Sequence, residues 1–228
     1  MKLSISMSRR EMTLGWLLMA CQLLILPVVA VIINSLLPNP LTDTALNTLL
    51  FLADFVLAII IFHRFLAASS RHALRTPFRC LRFAALGLML YYVGSFLVGL
   101  LISSVSQDFS NVNDNAIFEM AQDNSFQIAI CNVLLVPFTE ELIYRGLIFR
   151  SLHSKSRLAA YVVSAAVFSL IHVAGYIGTA SGTVLLLCFL QYIPAGLSLG
   201  WAYEKADSIW APILMHMTVN QISISLMR

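Results

Sequence analysis

The chain has 228 residues, of which 59% are hydrophobic and 11% charged, with a formal net charge of +3 and a mean hydropathy of +0.85. Soluble domains run at roughly 45–50% apolar and about 25% charged, so this composition excludes a soluble enzyme or a soluble nucleic-acid binder. The apolar residues come in blocks of roughly twenty, the length a helix needs to cross about 30 Å of hydrocarbon.

In chain order the blocks fall at about 13–37, 46–68, 80–104, 126–150, 158–177, 183–203 and 208–226. They predict an all-α, polytopic transmembrane helix bundle of about seven membrane helices, folded as one integral membrane domain over 1–228. The first block follows Lys2, Arg9 and Arg10 and could pass for a signal peptide. "PVVAVIINSLLPNP" continues apolar well past any cleavage point, so the block reads as retained. The four cysteines sit in separate blocks without ligand spacing and read as small apolar fillers.

Lys and Arg sort the connections. Arg64, Arg71, Arg75, Arg79 and Arg82 cluster at blocks two and three, and Arg145, Arg150, Lys155 and Arg157 at or after the end of block four. The segments 38–45, 105–125 and 178–182 contain no Lys or Arg. Under the positive-inside rule the N-terminus lies in the cytoplasm and, after seven crossings, the C-terminus outside. The segment 105–125, with its four acids, reads as a solvated external connector holding a short surface helix.

Ionisable residues inside a membrane segment are expensive and default to functional candidates. Asp54 in block two has no polar neighbour at helical spacing and receives no role. Block four carries "TEELIYRG", in which Glu141 and Arg145 stand i,i+4, the spacing of an intrahelical ion pair. Glu140 points about 100° away and is left without a partner in its own helix. Block five places His172 one turn after Phe168, and block seven places His216 and Asn220 on one face.

Each feature alone reads equally well as packing or an interhelical hydrogen bond. Together, a carboxylate, two imidazoles and a carboxamide from three helices form a minimal set for hydrolysing an amide in a bundle core. Pro137 removes a backbone bond and favours a kink just before them. Depth is less uniform. Glu140 lies roughly 15 Å from Arg150 and His216 roughly 14 Å from Asp207, but His172 lies roughly 22 Å from Arg157.

The ordered set EExxxR, FxxxH and HxxxN resembles the CPBP family of CAAX proteases and bacteriocin-processing (Abi) intramembrane proteases. It is carried here by Glu140, Glu141 and Arg145, by Phe168 and His172, and by His216 and Asn220. The motif-bearing core covers about 126–226, while the first three blocks match only as generic membrane helices. The resemblance implies an intramembrane endopeptidase in which Glu140 activates water, His172 helps to hold it, and His216 and Asn220 stabilise the oxyanion. Glu141 and Arg145, with Phe168 beside His172, would brace the site or meet substrate. A metal-free glutamate mechanism is favoured; with zinc, a metalloprotease would take Glu140, His172 and His216 as ligands.

The implied substrate is a membrane-associated peptide or protein in a bacterial cell membrane, as in bacteriocin or pheromone processing or self-immunity. No nucleic acid is expected as a partner. Two rival readings remain. One is a non-catalytic immunity or scaffold protein that binds a peptide or sensor kinase. The other is a small transporter using Glu140 and His172 as a proton relay, although the chain shows no repeated halves.

Overall fold

The computed structural model describes residues 3–226. All regular elements among them are helical: α1 (Arg9–Ser35), α2 (Asp43–Arg75), α3 (Pro77–Val105), α4 (Val112–Asp123), α5 (Ser125–His153), α6 (Arg157–Ala174), α7 (Gly182–Ala206) and α8 (Trp210–Leu226). Six of these, α1, α2, α3, α5, α6 and α7, are long and apolar enough to cross a membrane. The seventh apolar block forms α8, a 17-residue helix. Large apolar side chains such as Leu24, Ile60, Met89 and Phe96 stay exposed along α1, α2 and α3. Water would not tolerate so broad an apolar surface, and the protein is integral to a membrane.

The helix ends follow local chemistry. Ser8 caps α1 in a capping box with Glu11, Thr42 caps α2, and Pro77 opens α3, where the backbone N–H it lacks has no intrahelical partner. Asp207 ends α7 in the left-handed region (φ 55°), and its carboxylate accepts the Ser4 N–H at 2.9 Å. Inside α2 the helix breaks at Phe62 (φ −95°, ψ 16°). Glu11, buried on α1, reaches across and accepts the Phe65 N–H at 2.7 Å, so the break leaves no orphaned donor there.

The innermost helix is α5: half of its most apolar window is buried inside the protein, against 6% for α1. It is also the least regular. A π-helical stretch, Cys131–Leu135, precedes Pro137, and a second, Leu142–Phe149, follows the two glutamates. The proline ring crowds the preceding turn, and the wider stretch before it accommodates that crowding. Around α5, helices approach closely through small residues. A Cβ on Gly196 of α7 would come within 2.7 Å of the Ala165 Cα on α6. At one end of the bundle Glu204 accepts bonds from Arg157 Nε (2.7 Å), Tyr161 Oη (2.7 Å) and His153 Nε2 (2.9 Å), tying α5, α6 and α7 together.

Candidate active site

The motif residues of three helices meet around one cavity of about 580 Å³. Glu140 of α5, Phe168 and His172 of α6, and His216 and Asn220 of α8 all line it. Glu141 and Arg145 stand directly behind, with fully buried side chains.

Glu141 and Arg145 form the ion pair that their spacing predicts, with Arg145 Nη1 donating to Glu141 Oε1 at 3.0 Å. Arg145 Nη2 donates to the Gly196 carbonyl at 3.2 Å, and its guanidinium lies 4.6 Å from the centroid of the Phe168 ring. A buried charge needs such compensation from several sides. The same Glu141 oxygen accepts from His216 Nδ1 at 2.8 Å. That bond fixes the ring, so the opposite nitrogen, Nε2, lies 3.9 Å from Glu140 Oε2. Glu140 Oε2 is buried and has no hydrogen-bond partner in the protein.

Phe168 is the shared wall of the site. Its ring centroid lies 4.5 Å from that of His172 and 5.8 Å from that of His216. His172 Nδ1 donates to the Phe168 carbonyl at 2.8 Å, which leaves Nε2 as the nitrogen carrying the lone pair. Despite its greater depth by residue count, His172 faces the same cavity as Glu140, but no hydrogen bond or ion pair joins the two. Asn220 Nδ2 donates to the Asn132 carbonyl at 2.7 Å, which ties α8 to the first π-helical stretch of α5.

Two parts of the site escape the sequence reading. Asn132 is one; an amide two turns before Glu140 in an apolar helix was the available signal. The other corrects the reading of 105–125 as a solvated connector. Asn111, buried, caps α4 and donates to Gln191 Oε1 at 2.9 Å. Asn113 Nδ2 donates to Tyr192 Oη at 3.0 Å, and Tyr192 Oη donates to Asp114 Oδ1 at 2.9 Å. The Tyr192 ring lies 4.3 Å from His172, centroid to centroid. The segment's polar residues therefore serve the cavity wall as well as solvent. Burial pushes the Asp114 carboxyl above its ordinary value, against the pull of the Tyr192 bond and the nearby His172.

The donors do not fit zinc in this arrangement. Among the described residues, no three His, Cys, Asp or Glu side chains converge as a metal-ligand set. Glu140, His172 and His216 surround the cavity rather than one point in it.

Residues 122–222 match the family model described as "Type II CAAX prenyl endopeptidase Rce1-like". The chain is 27% identical over 109 residues to "Putative membrane peptidase YdiL" of Bacillus subtilis (strain 168), covering 47% of this chain and 40% of that protein. It is 28% identical over 87 residues to "UPF0177 protein YxdF" of Lactococcus lactis subsp. lactis (strain IL1403), covering 38% of this chain and 42% of that protein. The matches thus span about two-fifths of these relatives' own lengths. No solved structure shows a significant match. Residues 122–222, the segment that carries all three motifs, are similar to the Rce1-like, CPBP-type family of membrane endopeptidases.

Proposed function

We propose that the protein is an intramembrane endopeptidase that hydrolyses a peptide bond of a membrane-associated protein or peptide with Glu140 as general base. The observation that carries this reading is the partnerless Glu140 Oε2, which faces the cavity 3.9 Å from His216 Nε2. Glu140 takes a proton from water as the water oxygen attacks the peptide carbonyl, then passes that proton to the departing amide nitrogen. The lone pair of His172 Nε2 accepts a hydrogen bond from the same water and orients it.

The oxyanion is met by His216 Nε2–H and by the Asn220 N–H not engaged with Asn132. Because His216 Nδ1–H already donates to Glu141, Nε2 can donate only when the ring carries both protons. Glu141 holds the ring through Nδ1, and Arg145 holds Glu141 in place. Glu141 and Arg145 therefore support the chemistry from behind the cavity. The mechanism routes no step through a metal.

The bacterial relatives favour a bacterial cell membrane and a bacterial peptide or membrane protein as substrate, bacteriocin or pheromone processing included. The Lys/Arg pattern favours a cytoplasmic N-terminus. The test is purified protein in liposomes with a library of membrane-anchored peptides, read by mass spectrometry. Glu140→Gln should bind these peptides and lose about 10²–10⁴-fold of turnover. An undiminished rate would remove Glu140 from the mechanism. Binding without cleavage by the unaltered protein would favour the non-catalytic immunity or scaffold reading.

A further inference from the structure

A second cavity, of about 140 Å³, lies against Glu140. Its lining includes Gln22 from the π-helical stretch of α1, Asp54 from α2, and Thr139, Glu140 and Tyr144 from α5. Nine buried side-chain polar atoms among the described residues lack a hydrogen-bond partner in the protein, and four of them belong to this lining. They are Gln22 Oε1, Asp54 Oδ1, Thr139 Oγ1 and Glu140 Oε2.

Buried polar atoms without partners are strongly disfavoured, and their convergence on one space points to a shared ligand. Water fits: the cavity has room for about four molecules at ~30 Å³ each, which can bond the four unpartnered lining atoms and one another. Phe51, Val136, Glu140 and Ile171 line both cavities, and Glu140 is the polar member of that shared wall. Gln22 and Asp54 lie outside the matched segment 122–222, so the chamber's far wall comes from the chain's first two helices.

We propose that this second cavity is a hydration chamber that supplies Glu140 with water for hydrolysis, and that Asp54 is the positioning residue that anchors its water. Hydrolysis consumes one water per bond cut, and a peptide seated in the large cavity would obstruct supply from that side. The chamber reaches Glu140 from the other side. Its role in supply rests on the endopeptidase reading above.

Hydroxyl-radical footprinting of the full chain in liposomes, by pulsed X-ray radiolysis, tests it. Tyr144 is the reporter, since it lines the chamber and is only 1% exposed. Wild type should be oxidised at Tyr144, Asp54→Leu should lose about 80% or more of that mark, and Asp54→Asn should keep it. On cleaved peptide, Asp54→Leu should lower kcat about tenfold with KM unchanged, and Asp54→Asn should stay within about twofold of wild type. An unmarked Tyr144 in wild type would overturn the chamber. So would an Asp54→Leu variant that loses the mark at full kcat, or an Asp54→Asn variant as slow as Asp54→Leu. The two readings fail separately. Absence of the Tyr144 mark sinks the chamber whatever the protein cleaves, and an undiminished Glu140→Gln rate sinks the endopeptidase whatever the mark.

Discussion

His216 donates from Nδ1 to Glu141 Oε1 across 2.8 Å, on the same oxygen that takes Arg145 Nη1 at 3.0 Å. One buried oxygen therefore links the ion pair to the ring that faces Glu140. Glu141→Gln removes the charge that Arg145 needs and should destabilise the fold by about 3–5 kcal/mol. Replacing both partners, Glu141→Leu with Arg145→Leu, should restore most of that loss, because two matched apolar side chains avoid an unpaired charge. Hydrolysis should not return, since His216 Nδ1 has lost its acceptor. Thermal unfolding in detergent, followed by tryptophan fluorescence beside the peptide assay, separates the effects. Full activity in the double variant would reduce the pair to a packing role.

Gly196 serves the same charge through its backbone. Its carbonyl accepts Arg145 Nη2, and its missing Cβ is what lets α6 and α7 touch. Gly196→Ala would set a methyl 2.7 Å from the Ala165 Cα, and backbone cannot step aside as a flexible side chain can. The expected cost is about 1–3 kcal/mol, with a lower yield of folded protein. Gly99→Ala is the control, because its Cβ would meet nothing within 4 Å. That substitution should be neutral or stabilise by up to about 1 kcal/mol. Equal midpoints for the two variants would show that the helices can part at Gly196 without loss.

The helices and the motif residues were legible because both depend on local pattern. Glu141 and Arg145 are one turn apart, and Glu140, His172, His216 and Asn220 stand out as polar residues in apolar helices. The rest depends on contacts between residues distant in sequence. Asn132 meets Asn220 across 88 positions, and Asp114 meets Tyr192 across 78, spacings that carry no periodic signal. Segment 105–125 misled for a physical reason: amides that cap a short helix and bond a buried tyrosine have the same composition as a solvated loop. Asp54 had no polar neighbour at helical spacing because those that share its cavity lie on α1 and α5.

The proposed orientation rests on the Lys/Arg-free segments and can be measured directly. Ser110 and Lys155 are both exposed, in segments assigned to opposite sides of the membrane. The native cysteines are buried or half-buried, so each new thiol can be followed against a low background. Ser110→Cys should react with an impermeant maleimide added to intact cells. Lys155→Cys should react only after permeabilisation. The reverse pattern would invert the assigned topology.

Asp114 gives the cavity wall a measurable pH dependence. Its carboxyl accepts the Tyr192 hydroxyl, and Tyr192 in turn packs on His172. Burial raises the Asp114 pKa above its ordinary 3.8, and the Tyr192 bond and His172 offset part of that rise. The folded state therefore holds the Asp114 proton more tightly than the unfolded chain does. Its contribution to stability is fully present below the unfolded pKa and is lost as pH rises through the higher folded value. Asp114→Asn keeps an oxygen to accept the Tyr192 hydroxyl but never ionises. Its thermal midpoint should thus lie close to wild type near pH 4 and move above it by about pH 7. Tyr176, whose own pKa burial raises, also feels the Asp114 charge but stays protonated throughout this range. Tyr192→Phe should behave differently, lowering the midpoint near neutrality by removing the donor that stabilises the ionised carboxyl. A midpoint difference between Asp114→Asn and wild type that stayed constant from about pH 4 to pH 7 would mean that Asp114 holds α4 against α7 by shape alone.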